Sequence, residues 1–226
     1  MNFLQTVQRT YRECGLVSNV PTAVTGQTGM AAKCVDWVLS AHADLQGEHL
    51  WRFDWAQLSK VLSAGDDTYD PVADWGITAP VRKWVDAPQA SYVYKTATGT
   101  TSRQWTHYLP WEQFRGLNLP AVSTSIPIYW TVNPQGYVVY FPAPLTGEWT
   151  AVHEYYRGAE TLAANTDTPR MPTDYHMGIV WRAVKLYCGN DGAMELYKHA
   201  DNELRIVMDK MERTELPQML GAGAMV

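Results

Sequence analysis

The hydrophobic pattern changes period twice along the chain, and no other feature constrains the fold as strongly. Apolar residues recur at helical spacing over residues 1–50 and again after residue 172. Between these regions, apolar and polar residues alternate as in strands, and prolines and glycines interrupt the chain too often for long helices. The sequence therefore predicts an α+β fold. Its N- and C-terminal helices form a bundle, and an antiparallel β domain, a sandwich or small barrel, is inserted between them.

Four helices are predicted at the two ends of the chain. The first ends before Gly15, and the second runs from an N-cap at or near Thr28 to about Gly47. The third begins after an N-cap at Thr173, and a tight turn at residues 189–192 separates it from the fourth. Because that connection is short, we expect the last two helices to form an antiparallel hairpin.

The middle of the chain is predicted to form a meander of strands. Extended structure is expected from about Trp55. One hairpin is predicted from residues 92–96 and 103–108, and a second from residues 126–132 and 136–141. In a further strand, Ala151, His153 and Tyr155 alternate with Val152, Glu154 and Tyr156, which places the two sets on opposite faces.

These patterns divide the chain into three parts. Residues 1–54 and 161–213 form a helical domain, residues 55–160 an inserted β domain, and residues 214–226 an extended C-terminal tail. Pro217 stops the last helix, and the tail beyond it is apolar but too rich in glycine to form a stable helix alone. We interpret the tail as a docking segment.

The composition indicates more buried surface than a monomer needs. Hydrophobic residues make up 46% of the chain and charged residues 18%, whereas a typical soluble domain carries about 25% charged residues. Ten Trp and thirteen Tyr residues add large amphipathic side chains, which are enriched at protein interfaces. The third helix is apolar on so many sides that two of its faces must be covered. We therefore expect a homo-oligomer, and the candidate interface residues are Trp181, Val184, Tyr187 and Trp37.

Charge and cysteine content argue against several classes of protein. The net charge of −5 and the pI near 5.6 disfavour binding to phosphate backbones, which depends on clustered Lys and Arg. Cys14, Cys34 and Cys188 lack CxxC spacing, so neither a disulfide framework nor a zinc site is expected. No apolar run reaches the roughly 18 residues of a membrane span, and no signal peptide is recognisable. We expect neither membrane insertion nor secretion.

Potential chemical sites are few, and each has a simpler interpretation. The acidic turn at residues 66–74 lacks EF-hand spacing, and cation binding there is left open. His42 and His49 lack the spacing of a zinc motif. Cys188 is predicted near a helix C-terminus, which raises a thiol pKa and disfavours a nucleophile. Since no P-loop, GxGxxG or GxSxG motif occurs, the sequence predicts no enzyme and no cofactor.

Six tryptophans of the predicted β domain leave a glycan-binding module as one alternative. Sugars stack on exposed aromatic rings, so these residues could form a platform. Strand alternation turns about half of them inward, however, and core or subunit contacts are the commoner use. They are Trp75, Trp84, Trp105, Trp111, Trp130 and Trp149.

Seven short stretches at the beginning, middle and end of the chain carry a family resemblance. The first three are residues 3–16 (FLQTVQRTYRECGL), 24–29 (VTGQTG) and 35–38 (VDWV). The others are residues 50–53 (LWRF), 64–71 (AGDDTYDP), 169–176 (PRMPTDYH) and 195–203 (ELYKHADNE). With these stretches in place, the chain resembles the head-to-tail adaptor (connector) proteins of tailed bacteriophages.

The resemblance implies a structural protein of the virion that is assembled in the host cytoplasm. A dodecameric ring of helical domains would sit beneath the portal protein, extend the DNA channel used in genome ejection, and attach a nozzle or tail-tube protein. DNA would pass through without sequence-specific binding. The resemblance also implies that the C-terminal tail docks on the portal through Leu216, Met219, Leu220, Met225 and Val226. Another oligomeric tail or baseplate protein is the second alternative.

Overall fold

The computed structural model describes residues 1–16, 18, 20–78, 80–87, 89–116, 126–144 and 147–216, which divide into two compact units. The helical unit comprises Met1–Asp54 and the described residues from Ala159 onward. The β unit comprises Trp55–Gly158. The predicted α+β fold, with strands inserted between terminal helices, is confirmed.

The described residues contain five helices and three short 3₁₀ turns. The helices are α1 (Phe3–Glu13), α2 (Gly29–Glu48), the one-turn α3 (Trp111–Phe114) in the β unit, α4 (His176–Asp191) and α5 (Met194–Glu215). The 3₁₀ turns are Arg52–Asp54, Gly99–Ser102 and Thr173–Tyr175.

Local sequence signals fix both ends of α1. The Asn2 side chain accepts a hydrogen bond from the Gln5 backbone N–H at 2.8 Å, and the Gln5 side chain accepts one from the Asn2 N–H at 3.0 Å. This reciprocal capping box satisfies two N–H groups that the first helical turn leaves unpaired. After the helix, Gly15 adopts a φ of 72°, a left-handed conformation that glycine reaches without strain.

Helix α4 is the centre of the helical unit. It packs against α1, α2 and α5. Ile179, Val180, Ala183 and Val184 are completely buried. The predicted N-cap at Thr173 is wrong, because Thr173 begins a 3₁₀ turn and Tyr175 occupies the N-cap position of α4.

The turn predicted at residues 189–192 is also wrong in extent. Helix α4 continues through Asp191, and only Gly192 leaves it, with a φ of 74°. The Gly192 N–H donates to the Cys188 carbonyl at 2.8 Å, which closes the last helical turn. Helix α5 then packs back against α4, as the predicted hairpin requires.

The β unit contains nine described strands in two sheets. The first sheet has the order β1-β9-β4-β5, with β3 also paired to β9, and the second has the order β2-β8-β7-β6. The strands are β1 (Trp55–Val61), β2 (Thr68–Tyr69), β3 (Val81–Trp84), β4 (Ser91–Lys95), β5 (Gln104–Trp105), β6 (His107–Tyr108), β7 (Tyr129–Val132), β8 (Val138–Phe141) and β9 (Trp149–Arg157).

The first sheet is built around β9. Strand β1 pairs antiparallel along one edge of β9, from Trp55 opposite Tyr156 to Val61 opposite Thr150. Strands β3 and β4 follow one another along the other edge. Because β9 is an interior strand, residues on both of its faces are buried.

Two expectations about the strands are corrected. The predicted strand at residues 103–108 is divided at Thr106, since β5 pairs with β4 in the first sheet and β6 pairs with β7 in the second. The predicted meander is wrong, because β1 pairs with β9, the last strand of the unit, and β6 pairs parallel to β7. The predicted hairpin of β7 and β8 is confirmed.

Aromatic side chains from both sheets meet in the core of the β unit. Trp149 and Val93 come from the first sheet, and Trp130, Val138 and Tyr140 from the second. All five are at most 1% exposed. Of the two alternatives, the described residues therefore form the sandwich, in which two sheet faces bury a common core.

Two glycines near the end of α4 should respond oppositely to the same substitution. Gly192→Ala places a Cβ at a φ of 74° and should lower the free energy of unfolding by about 1 kcal/mol. Gly189→Ala, inside the exposed part of the same helix with no atom within 4 Å of the new Cβ, should raise it by about 0.5–1 kcal/mol. Urea denaturation of both variants checks this, and shifts of the same sign would contradict the assigned helix end.

Candidate assembly surfaces

Three of the four predicted interface residues lie in the core of their own subunit. Trp181 is 7% exposed, Val184 0% and Tyr187 7%. The Trp181 ring meets His199 of α5 edge-on at 5.3 Å, and Tyr187 meets Trp37 of α2 at 5.7 Å. Trp37, the fourth residue, is half-buried.

The several apolar faces of α4 are therefore covered within the subunit, by α1, α2 and α5. A neighbouring subunit is not needed to bury Trp181, Val184 or Tyr187. That the four residues contact a neighbour stays a prediction, and Trp37 is the one that keeps substantial exposed surface.

The residues predicted to dock on the portal are described only at their first member. Leu216 follows α5, is half-buried, and packs against the helical core. Its N–H donates to the Glu212 carbonyl at 3.3 Å. Met219, Leu220, Met225 and Val226 lie outside the described residues.

A charged network joins the two points at which the chain leaves and re-enters the helical unit. Asp54 is the last residue before the β unit, and Glu160 comes just after it. The Arg170 guanidinium lies 3.3 Å from Asp54 Oδ1 and 3.2 Å from Glu160 Oε2. The Arg170 backbone N–H also donates to Glu160 Oε1 at 2.6 Å. One arginine thus holds both ends of the insertion.

Helix α2 supplies the rest of this network. Gln46 Oε1 accepts from the Glu160 backbone N–H at 2.9 Å, and the His42 ring lies 3.3 Å from the Glu160 carboxylate. Burial opposes ionisation of Glu160, but hydrogen bonds from His42 and the Arg170 N–H outweigh it and hold the Glu160 pKa below its usual value. Glu160 is therefore ionised at neutral pH.

Sequence reasoning missed this network. The sequence pattern places His42 only among possible metal ligands, and Arg170 only in the stretch PRMPTDYH. The available signal was a single arginine between two prolines, close behind the strand-rich region. Its partners could not be identified, because they lie far away in the sequence.

A serine, a histidine and a tyrosine are hydrogen-bonded in line at the centre of the β unit. His153 Nδ1 lies 2.9 Å from Ser91 Oγ, and His153 Nε2 is bonded to the Tyr140 hydroxyl. Trp130 and Trp75 pack on the ring, at 4.4 and 5.8 Å. Burial lowers the pKa of His153 to about 3, so the ring is neutral.

This trio has the atoms of a nucleophilic site but not the access. Ser91 is 3% exposed, and His153 and Tyr140 are each 1% exposed, so no substrate reaches the hydroxyl. We interpret the trio as a satisfied polar group inside an aromatic core.

The other candidate sites have structural roles. Asp70 Oδ1 accepts from the Val72 N–H at 2.7 Å, and Asp74 Oδ2 accepts from the Asp70 N–H at 2.7 Å, so these carboxylates cap their own turn.

The cysteine thiols are poor nucleophiles. Burial raises the pKa of the Cys188 thiol, and it raises the pKa of the Cys34 thiol to about 12. Across the residues that the structure describes, no group of three or more His, Cys, Asp or Glu side chains is arranged to hold a metal ion.

The tryptophans do not form a flat platform. Trp75, Trp130 and Trp149 are buried. Trp105 is 39% exposed, but it meets Tyr92 edge-on at 5.4 Å, and the Arg103 guanidinium lies 5.2 Å from its ring centre. The exposed indole is thus already in contact with a ring and a cation, which disfavours sugar stacking.

The comparison with known families decides the class of this protein. The sequence model of the SU10 adaptor protein family matches residues 2–219. The chain belongs to the SU10 adaptor protein family. The match covers both units, so the strands are an inserted part of the adaptor and not a separate module. No curated protein matches the sequence.

Membership of this phage adaptor family makes the chain a structural component of a virion. None of the described helices is both long and apolar enough to cross a membrane.

The charged network yields a prediction for stability. Arg170→Met removes a cation that contacts Asp54, which is 3% exposed, and Glu160, and should lower the free energy of unfolding by about 3–5 kcal/mol. Arg182→Met is the matched control, because its partners Asp44 and Glu48 are largely solvent-accessible, and it should cost about 1 kcal/mol or less. Urea denaturation measures both, and equal losses would refute the anchoring role.

The neutral His153 yields a prediction for pH dependence. Its folded pKa of about 3 lies below the ordinary value of 6.5, so between these values the unfolded chain binds more protons. Stability should therefore fall as the pH drops from 6.5 to 4.5, with a maximum slope of about 1.4 kcal/mol per pH unit from this group. His153→Gln should reduce that slope. Free energies of unfolding measured across this pH range test the prediction, and an unchanged slope in His153→Gln would contradict it.

Proposed function

We propose that this protein is a head-to-tail adaptor, twelve copies of which form a ring beneath the portal and extend the DNA channel into the tail. The family match over residues 2–219 carries this proposal. It favours an adaptor over a baseplate protein or a glycan-binding module. The subunit would be incorporated into the virion during assembly in the host cytoplasm.

The helical unit is the proposed body of the ring. A closed head-to-tail ring uses two different surfaces on each subunit, one for each neighbour. Trp37 on α2 and the exposed apolar residues of α5 supply apolar area without opening the core. Of the latter, Met194 is 63% exposed and Ile206 55%. These three are therefore better candidates for contact than the buried Trp181.

The acidic character of the chain supports a conduit for DNA. The net charge of −5 disfavours a firm hold on phosphates, which depends on clustered Lys and Arg. DNA would pass through such a ring without being retained.

The two ends of the ring have different proposed partners. The tail at residues 214–226 docks on the portal, and its apolar residues offer anchors that gain buried surface by docking. The β unit carries the contacts with the tail protein, since Trp55 and Trp105 are each 39% exposed and such side chains are enriched at interfaces.

Deletion of residues 217–226 tests the portal contact. The truncated chain should keep its fold and ring, because the described helices end by Glu215 and the core of the helical unit is formed by residues before the deletion. It should fail to co-sediment with purified portal particles, whereas the full chain should bind them as a ring of twelve 25.5 kDa subunits. Leu220→Val, which keeps the tail apolar, is the control. Normal portal binding by the truncated chain would move the docking surface to the ring body.

A further inference from the structure

Strand β1 has one backbone edge that pairs with no other described strand. β1 pairs with β9 alone and lies at the end of its sheet. The Leu62 N–H donates to the Trp149 carbonyl at 2.8 Å, which shows that even-numbered residues of this stretch bond to β9. The backbone groups of Gln57, Ser59 and Val61 therefore point away from β9. Within the described part of the chain, they form no hydrogen bond.

This edge differs from the others in length and regularity. Its seven residues pair with β9 without a register shift and include no proline. The edge strands β2, β5 and β6 each have two residues, and β3 has four with a shift between Val81 and Lys83. Natural sheets protect exposed edges by short strands, prolines or bulges. The long edge of β1 lacks those three devices.

The side chains of β1 specify what fits there. Leu58 and Lys60 are half-buried and lie on the face of the sheet that holds the core, two residues apart. On the opposite face, Trp55 is 39% and Val61 55% exposed. A strand added to this edge would place side chains directly beside Leu58 and Lys60, at pairs where side chains approach closely. An apolar residue beside Leu58 and an acidic residue beside Lys60 would be complementary.

The described strands of a second copy of this chain do not fit the edge. Two β1 strands that pair antiparallel are related by a two-fold axis, which a closed head-to-tail ring does not contain. The other described edges are too short to cover seven residues. Lys60 on the core-facing side also disfavours pairing between identical edges, which is a known protective use of inward-pointing charge.

We propose that β1 is completed in the virion by an extended segment of the tail protein. The segment adds a strand through backbone hydrogen bonds to Gln57, Ser59 and Val61, with an apolar and an acidic residue two positions apart. This inference rests on the proposed function, in which the β unit carries the tail contact.

Hydrogen–deuterium exchange at single amides tests the proposal. The amides of Gln57, Ser59 and Val61 should exchange quickly in the free protein and in portal-bound rings, and slowly once purified tails are attached. The amides of Leu58 and Lys60, which bond to β9, should be protected throughout and serve as internal controls. Protection already present in free rings or portal complexes would overturn the proposal, as would its absence in tailed particles.

A pair of variants at one position separates the backbone from the side chain. Ser59→Pro removes an N–H that β9 does not use, so the subunit should fold and form rings on portals. Its binding to purified tails should weaken about tenfold or more, whereas Ser59→Ala should bind as the unsubstituted protein does. Equal tail binding by both variants refutes strand addition. If Ser59→Pro lost ring formation or portal binding, the edge would belong to the ring or portal contact, and strand addition by the tail protein would be refuted as well.

The side-chain specificity has its own test. Lys60→Glu should weaken tail binding, and Lys60→Arg should retain it, if an acidic residue lies beside this position. If the unsubstituted rings bind portals but not tails, the proposed function fails at the tail contact itself. That result is distinguishable from failure of strand addition, in which rings bind tails and β1 stays unprotected.

Discussion

The fold depends on holding together the two points at which the chain leaves the helical unit and re-enters it. Residues 55–158 leave the helical unit and return to it, so folding has to bring Asp54 and Glu160 together. Arg170 does this with a single guanidinium between two carboxylates, at 3.3 and 3.2 Å. Few water molecules reach Asp54, and a buried charge without its partner costs far more than the pair gains. The network therefore acts mainly by disfavouring conformations in which the start and the end of the β insertion move apart. Gln46 attaches it to α2 and so to the helical core.

The residues of the helical unit that look most apolar in the sequence are buried within its own core. Helix α4 needs all three of its neighbours to cover it, and Val184 is left with no exposed surface. A large buried side chain contributes to subunit stability before assembly, whereas an interface contact contributes only after assembly. Exposed positions such as Ile206 and Trp37 meet the second condition. The same distinction applies in the β unit, where Trp130 is core and Trp55 is surface.

What the sequence predicted correctly was local. Helical period, the stop at Gly15 and the change to extended chain at Trp55 all follow from neighbouring residues. The failures concern long-range pairing: no local signal shows that β1 pairs with β9, or that the chain changes sheets at Thr106. Two glycines at positions 189 and 192 resemble a turn, but α4 continues through the exposed residues 189–191, and the Tyr187 hydroxyl donates to Asp191 Oδ2 at its end. For the assembly surfaces, apolar periodicity identified buried residues but could not tell a subunit core from an interface. Family resemblance, not periodicity, identified the class of protein.

The central claim is that this subunit forms the ring between portal and tail. Cryo-electron microscopy of purified portal particles mixed with the protein tests it most directly. The account predicts one twelvefold ring on the portal, with helical units around an open channel and β units available to the tail. Particles without added density, or a ring that binds only to tail or baseplate assemblies, would contradict it.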